Sequence, residues 1–111
     1  MINNTEKFLS MLGLSRRAGK VIIGTPLVTS TLPSGKVKIV FYTADSSSNT
    51  QKRITDKCKF YNVKCIMVDI PSENVGKMVG MTSPVCVIGV TDDNFSKQLN
   101  ALVQDNLDIL K

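Results

Sequence analysis

The clearest evidence for the fold is in residues 37–68, which read V-K-I-V-F-Y-T-A-D-S-S-S-N-T-Q-K-R-I-T-D-K-C-K-F-Y-N-V-K-C-I-M-V. This stretch opens with a strongly apolar run at 37–42, which predicts a buried strand. A polar loop follows, and either Ser48 or Asn49 is expected to cap a helix. The apolar face of that helix carries Ile54, Cys58 and Tyr61. A second apolar run at 64–68 predicts another strand, and a strand, a helix and a strand in this order indicate a crossover within one sheet.

Helical and extended patterns also alternate in the first third of the chain. Asn3, followed by Glu6, resembles a capping box and opens a helix that ends near Ala18. A short strand is expected at 21–23. Thr25 and Pro26 then place a cap before a proline at the first helical position, which predicts a short second helix. Pro33 and Gly35 stop this helix.

The last third continues the alternation. Ser72 is expected to cap a helix of one to two turns that Gly80 closes, and residues 85–90 read as a buried strand. Asp92 or Asp93 caps a final helix. The inward-facing residues of this helix are Phe95, Leu99, Leu102, Val103 and Leu110. Strands joined by helical crossovers predict a layered α/β fold with helices on both faces of the sheet.

Length and composition indicate one domain, residues 1–111, with a single core. Apolar residues make up 42% and charged residues 21%, as in ordinary soluble proteins. Neither a signal peptide nor a run of 18 apolar residues is found, so no membrane association and a cytoplasmic location are expected. The three cysteines are widely spaced and histidine is absent, which argues against a zinc site. Cys58, Cys65 and Cys86 therefore read as small core residues in a reducing compartment.

Charge is concentrated in the first part of the chain. Residues 1–64 hold eleven basic and three acidic residues, whereas the rest holds three basic and six acidic ones; the net charge is +5. Three of the cations, Arg16, Arg17 and Lys20, surround a helix end that Gly19 can close. They exceed what capping of a helix dipole needs. The cluster is either a solvated helix end or a polyanion contact, and the one-sided charge favours nucleic acid.

Four segments carry a resemblance to a known family. They are M-L-G-L-S-R-R-A-G-K at 11–20, Y-T-A-D at 42–45, N-T-Q-K-R-I-T-D-K-C-K-F-Y-N-V at 49–63 and V-G-M-T-S-P-V-C-V-I-G-V-T-D at 79–92. The chain resembles the ribosomal L-seven-Ae superfamily from about Thr5 to Leu102, and more narrowly its bacterial ribosome-associated branch. The resemblance implies a three-layer α-β-α sandwich with a small mixed sheet. It also implies binding of structured RNA, typically kink-turns and here ribosomal RNA, with no cofactor, no metal, no small-molecule substrate and no catalysis.

The resemblance also implies a binding site. The family's RNA signature begins at a glycine that matches Gly24, followed by Thr25, and its asparagine, glutamate and lysine readers match Pro26, Leu27 and Ser30. Proline and leucine lack the polar groups that read sheared guanine-adenine pairs, so standard kink-turn readout is expected to be weak, while the helix start can still face a phosphate. The family's second contact maps onto a loop formed by Gly80, Met81, Thr82 and Ser83. Met81 offers an apolar contact to a flipped base, whereas the alternative is that Gly80 only closes a helix.

The remaining residues offer little catalytic chemistry. Without histidine, general acid-base work would fall on carboxylates, and the adjacent pair Asp92-Asp93 sits at a helix cap. Most aromatic residues occupy core-compatible positions; Phe60, which follows Lys59 and lies off the apolar face, is the exception. The sequence therefore predicts a non-catalytic RNA-binding protein. Its phosphate contacts are Arg16, Arg17, Lys20 and the start of the second helix, extended by Lys36, Lys52 and Arg53. The alternative is a protein-interaction adaptor that keeps the fold without base readout; the sequence does not indicate an oligomeric state.

Overall fold

The computed structural model describes residues 4–105, which form five α-helices, a 3-10 helix and four strands. In chain order these are α1 (Asn4–Arg17), β1 (Val21–Ile23), α2 (Thr25–Thr31), the 3-10 helix (Leu32–Ser34), β2 (Ile39–Thr43), α3 (Ser48–Phe60), β3 (Lys64–Val68), α4 (Ser72–Met78), β4 (Val87–Val90) and α5 (Asp93–Asp105). The predicted alternation of helices and strands is confirmed. Asn3 and Leu110, which figured in two of the helix predictions, lie outside the described residues.

The strands form one mixed sheet in the order β1-β4-β2-β3. The α3 crossover joins the parallel pair β2 and β3, and β4 runs antiparallel to both β1 and β2. Strands β1, β2 and β3 therefore point the same way. Their last residues and the start of β4 lie at one end of the sheet, called here the carboxyl end. Their first residues and the end of β4 lie at the opposite, amino end.

Helices cover both faces of the sheet, which confirms the predicted three-layer α-β-α sandwich. Helices α1, α4 and α5 pack on one face around Phe8, whose ring meets Phe41 edge to face at 5.0 Å between centroids. Helices α2 and α3 cover the other face, where Val28 and Ile54 are fully buried beside Val40. Phe41 and Val40 are neighbours in β2 and enter opposite cores, because successive strand side chains alternate between faces.

Three helix caps lie one residue before the predicted positions, and one of these is Pro71, which precedes α4 where Ser72 was predicted. Gly24, not Thr25, is the cap residue of α2, so Pro26 occupies the second helical position rather than the first. Ser47, not Ser48 or Asn49, caps α3, and its hydroxyl accepts the N–H of Thr50 at 3.2 Å. Runs of small polar residues offer several equivalent caps, and the position of the preceding strand selects one of them.

Tertiary contacts supply the cap of α4. Ser72, predicted as the cap, is the first residue of α4, and both its N–H and its hydroxyl donate to the carboxylate of Asp45 at 3.0 and 3.1 Å. The nearby Thr43 hydroxyl and these donors from Ser72 hold the pKa of Asp45 below its ordinary value. The Thr43 hydroxyl itself has no hydrogen bond of regular geometry within the described residues. The loop after β2 thus stabilises the start of α4.

The last helix follows one of the two expected caps. The Asp92 carboxylate accepts the N–H of Phe95 at 2.9 Å, so Asp92 rather than Asp93 holds the first turn of α5. Leu99 and Val103 are fully buried, as predicted for the inward face. Strands β2 and β4 each begin two residues later than their apolar runs, because Val37 and Val85 are buried in the segments that lead into them.

Candidate nucleic-acid interface

A groove of about 370 Å³ opens at the carboxyl end of the sheet. Its walls are formed by the β1–α2 junction, the segment that leads into β4 and one residue near the start of α3. The lining residues are Ile23, Gly24, Thr25, Thr50, Met81, Ser83, Pro84, Val85, Cys86 and Val87. Four of the residues predicted from the sequence, Gly24, Thr25, Met81 and Ser83, therefore meet in one place although almost 60 positions separate the two pairs.

Gly24 forms the corner between β1 and α2. Its φ of 97° lies in the region that favours glycine, and its N–H donates to the Val87 carbonyl at 2.9 Å. This hydrogen bond ties the start of α2 to the start of β4. No side chain caps the first turn of α2. Thr25 and Leu27 keep their N–H groups there, whereas Pro26 has none to offer.

The positions of the three family readers form an exposed, largely apolar surface on α2. Pro26 and Ser30 are exposed, and Leu27 is 55% exposed. The Ser30 hydroxyl donates to the Leu27 carbonyl at 3.0 Å, so it is engaged within its own helix. The surface is positioned to face a ligand at the groove mouth, but its side chains offer little polar contact.

The loop at 80–84 is held tightly against α4. Gly80 (φ 79°) closes that helix, and the Met81 N–H donates to the Gly76 carbonyl at 2.8 Å. A Cβ atom at Gly76 would collide with the Ser83 carbonyl oxygen, so only glycine permits this approach. The loop consequently presents Met81, Thr82 and Ser83 to solvent. Gly80 thus closes α4, and the loop that follows it is still exposed and free to face a ligand.

The groove is lined by a mixture of apolar groups and uncharged polar groups. Among its lining residues none is charged; the polar side chains are the hydroxyls of Thr25, Thr50 and Ser83, and Met81 is 39% exposed at its mouth. Apolar walls with a few hydroxyls suit an unstacked nucleobase. They supply no general acid or base.

Two of the predicted cations lie beside this groove. Lys52 and Arg53 are exposed on the first turns of α3. Arg53 follows Thr50, a groove residue, by one helical turn, and residues three apart are neighbours on a helix surface. Both cations therefore lie on the helix whose first turn borders the groove, Arg53 next to Thr50 on the helix surface.

The other predicted cations lie at the opposite end of the sheet. Arg16 and Arg17 end α1, Gly19 closes it with φ 73°, and the Lys20 N–H donates to the Ser15 carbonyl at 2.9 Å. This confirms the expected cluster of cations around a helix end. The cluster, called here the α1 rim, is formed by Arg16, Arg17 and Lys20, all exposed.

Strand β1 separates the α1 rim from the groove. Lys20 precedes this strand and Gly24 follows it, a separation of about 13 Å along an extended chain. Lys36 is exposed ahead of β2, also at the amino end. The sequence placed the rim and the start of α2 in one continuous phosphate contact, whereas the fold sets them at opposite ends of the sheet.

Sequence reasoning missed six of the ten groove residues. Their shared position depends on how α3 and β4 approach β1, so the sequence carries no signal beyond caps, core positions and strand patterns for Ile23, Thr50, Pro84, Val85, Cys86 and Val87. Cys86 was predicted as a core residue; it is half-buried and lines the groove.

The other two cysteines behave as expected for core residues. Cys58 is fully buried, and Cys65 is half-buried beside it. Hydrogen bonding to Cys58, together with burial, raises the pKa of the Cys65 thiol. Within residues 4–105, no group of three cysteine or carboxylate side chains is placed to hold a metal ion. Among the helices of this same region, none is long and apolar enough to span a membrane.

Together, the α-β-α sandwich and the groove between the β1–α2 junction and the loop before β4 define a non-catalytic recognition module. Residues 6–100 match the model of the Ribosomal protein L7Ae/L30e/S12e/Gadd45 family, and the chain belongs to this family. This confirms the resemblance seen in the sequence and the expectation that the chain is not an enzyme.

Individual relatives place the chain in a bacterial branch of the family. It is 37% identical to RNA-binding protein YlxQ of Bacillus subtilis (strain 168) over 87% of the chain and 95% of that protein. RNA-binding protein YlxQ of Enterococcus faecium is 36% identical over 91% of the chain and 95% of that protein. A solved structure from Bacillus halodurans, of a protein described as having unknown function, superposes with a TM-score of 0.82 at 34% identity, covering 88% of this chain and 97% of that one.

Proposed function

We propose that this protein binds structured RNA beside the ribosome, in the cytoplasm, as a single domain that uses the groove at the carboxyl end of the sheet. Family membership and relatives named as RNA-binding proteins support RNA as the ligand. The observation that carries the proposal is the meeting of Gly24 and Thr25 with Met81 and Ser83 around one uncharged groove. Ribosomal RNA is the proposed target.

In this proposal the groove receives an extruded nucleotide. Met81 contacts the base, while the hydroxyls of Thr25 and Ser83 offer hydrogen bonds to it. Lys52 and Arg53 hold the flanking phosphates, and the first turn of α2 faces the backbone at the kink. Phosphate contacts therefore supply most of the affinity, and they weaken as salt rises because the release of counterions from the RNA becomes less favourable.

Readout of a standard kink-turn is proposed to be weak. Pro26 and Leu27 stand where the family pattern has polar readers, and the Ser30 hydroxyl is engaged with the Leu27 carbonyl. The surface they form excludes water without forming base-specific hydrogen bonds. The preferred RNA is accordingly one whose shape fits the groove, rather than one selected by its guanine-adenine pairs.

The test is a filter-binding titration of the protein against ribosomal RNA and an isolated kink-turn hairpin at low and raised salt. Met81→Asp places a carboxylate where the base and its phosphate are expected, so it should weaken binding strongly while leaving thermal stability near that of the wild type. Ala101→Asp is the matched control, because Ala101 is also an exposed apolar residue but lies on α5, away from the groove and from the α1 rim.

Three outcomes contradict the proposal. Met81→Asp could bind as tightly as the wild type, or it could melt far below it, which would make the loop structural. The unmodified protein could also fail to bind any RNA at low salt, which would favour the adaptor function. Co-sedimentation with ribosomal subunits checks the proposed setting separately, since an adaptor that lacks RNA binding would reach ribosomes only through a protein.

The α1 rim is proposed as a phosphate contact farther along the same RNA. Replacing Arg16, Arg17 and Lys20 with alanine should weaken binding to every RNA sequence. It should also flatten the dependence of log affinity on log salt by about 0.7–0.9 for each phosphate that is no longer neutralised. Unchanged affinity and slope in a folded variant would show that the cluster is only a solvated helix end.

A further inference from the structure

An aromatic side chain is exposed to solvent at the amino end of the sheet, far from the groove. Phe60, the last residue of α3, is 78% exposed, more than any other large apolar residue that the structure describes. Its ring meets the Tyr61 ring edge to face, with centroids 4.8 Å apart and an interplanar angle of 83°. This contact orients the ring and still leaves most of it uncovered.

The turn after α3 holds this aromatic residue in place. Asn62 adopts a φ of 58°, and the Val63 N–H reaches back to the Cys58 carbonyl at 2.8 Å, which closes the helix. Tyr61 packs against the core between α3 and the sheet. The hydrogen bond from Val63 to Cys58 and the packing of Tyr61 therefore fix the backbone at the helix end that presents Phe60.

Lysines from three segments lie at this end of the sheet. Lys57 and Lys59 precede Phe60 on α3, Lys64 begins β3, and Lys38 precedes β2, whose first residue lies opposite Lys64 in the sheet. All four lysines are exposed, and none has an ion pair within the described residues. Asp56 lies one helical turn before Phe60, and Asp92 and Asp93 follow β4 at the same end of the sheet. Phe60 and the two lysines in the last turn of α3, Lys57 and Lys59, are called here the Phe60 patch.

We propose that the Phe60 patch is a second RNA contact, which stacks one unpaired base of a single strand on the Phe60 ring. An exposed aromatic ring among free lysines matches a nucleotide, since the ring takes the base and the ammonium groups take the flanking phosphates. The two lysines in the last turn of α3 outnumber Asp56, which favours an anionic ligand over a neutral or basic protein partner. The proposal rests on the proposed function only in taking RNA as the ligand.

The patch and the groove engage different parts of an RNA. Thr50, in the first turn of α3, lines the groove, and Phe60 ends the same helix at the other end of the sheet, about 15 Å farther along the helix axis. A structured element in the groove and a single-stranded flank on the Phe60 patch can therefore be held at the same time. The protein then recognises a junction between folded and unpaired RNA.

A single-tryptophan variant tests stacking directly. The chain has no tryptophan, so Phe60→Trp introduces a unique fluorophore. Titration with a short single-stranded oligouridylate at low salt should quench this emission to saturation. Ala101→Trp is the matched control on α5, away from the α1 rim, and should show no saturable quenching. Absence of quenching in Phe60→Trp, or equal quenching in both variants, overturns the proposal.

Affinity measurements with the same oligouridylate separate the ring from the charges. Phe60→Ala should lower affinity about 5- to 100-fold, the range typical of one base stacked on an aromatic ring. Lys57→Gln combined with Lys59→Gln should flatten the salt slope by about 0.7 for each phosphate that these lysines neutralise, whereas Lys97→Gln on α5 should not. Unchanged affinity in a folded Phe60→Ala variant also overturns the proposal.

A groove variant distinguishes the two proposals. Met81→Asp should retain oligouridylate binding, because the Phe60 patch lies at the other end of the sheet. If the unmodified protein binds the oligouridylate but not the hairpin, the proposed function is contradicted and the Phe60 patch is still supported. Hairpin binding that depends on Met81, without any Phe60-dependent oligouridylate binding, would do the reverse.

Discussion

Restoring the family's readers on α2 should convert a shape-dependent RNA binder into one that reads guanine-adenine pairs. The variant combines Pro26→Asn, Leu27→Glu and Ser30→Lys. All three positions are exposed at the mouth of the groove, and Leu27 is 55% exposed, so the new side chains have room to project toward a ligand. The added glutamate and lysine cancel, so the net charge stays at +5 and non-specific attraction to RNA is unchanged.

The expected gain follows from the contacts that are restored. A good bidentate base contact is worth about 1–3 kcal/mol. Two restored contacts at the lower end of this range, about 2 kcal/mol in all, correspond to roughly a 30-fold gain in affinity for a standard kink-turn. The cost to folding is small, because exposed substitutions usually change stability by no more than about 0.5 kcal/mol. The principal loss is the hydrogen bond from the Ser30 hydroxyl to the Leu27 carbonyl.

The assay compares a kink-turn hairpin with a hairpin whose guanine-adenine pairs are replaced by Watson–Crick pairs. The unmodified protein should bind both weakly, with little discrimination, and lose both at raised salt. The triple variant should bind the kink-turn about 30-fold more tightly and prefer it over the altered hairpin. A charge-matched control, Ser10→Lys with Leu14→Glu on α1, should gain nothing. A triple variant without gain, or tight and salt-resistant kink-turn binding by the unmodified protein, would refute the assignment of these positions.

Two further predictions concern the supports of the groove. A Gly→Ala change stabilises an ordinary helix by about 1 kcal/mol. In Gly76→Ala, however, the new Cβ collides with the Ser83 carbonyl, so we expect a lower melting temperature and weaker RNA binding. A raised melting temperature would show that the loop moves away from α4 at little cost. Asp45→Ala should lower the free energy of unfolding in urea by about 1 kcal/mol at neutral pH, because the cap of α4 is removed. The pKa of Asp45 is lowered in the folded protein, so this stabilisation is present above its unfolded pKa and disappears as pH falls through the folded value. The two proteins should therefore converge in acid, and a gap that is independent of pH would argue against the carboxylate.

Local patterns were sufficient wherever the signal was carried by neighbouring residues. The apolar runs predicted β2, β3 and β4 to within two residues, and the amphipathic spacing of Ile54 and Cys58 predicted the buried face of α3. The cations and Gly19 predicted the end of α1. Periodicity and glycine conformation act over a few residues, so the chain itself contains what they need.

Caps and sites required the assembled fold. Asp45 reaches the start of α4 from 27 positions away, and no local rule could prefer it over Ser72. Thr50 joins the groove only because α3 starts at the same end of the sheet as Gly24.

Composition and periodicity were enough to predict the alternation of helices and strands, the two apolar faces of a three-layer sandwich and the excess of positive charge. The position of that charge in the folded protein depends on tertiary contacts. Strand β1 lies between Lys20 and Gly24, so its direction in the sheet puts the α1 rim at one end and the groove at the other. The physical reason is that strand order and direction are set by packing between distant segments, whereas composition and periodicity report only on a segment and its own neighbours.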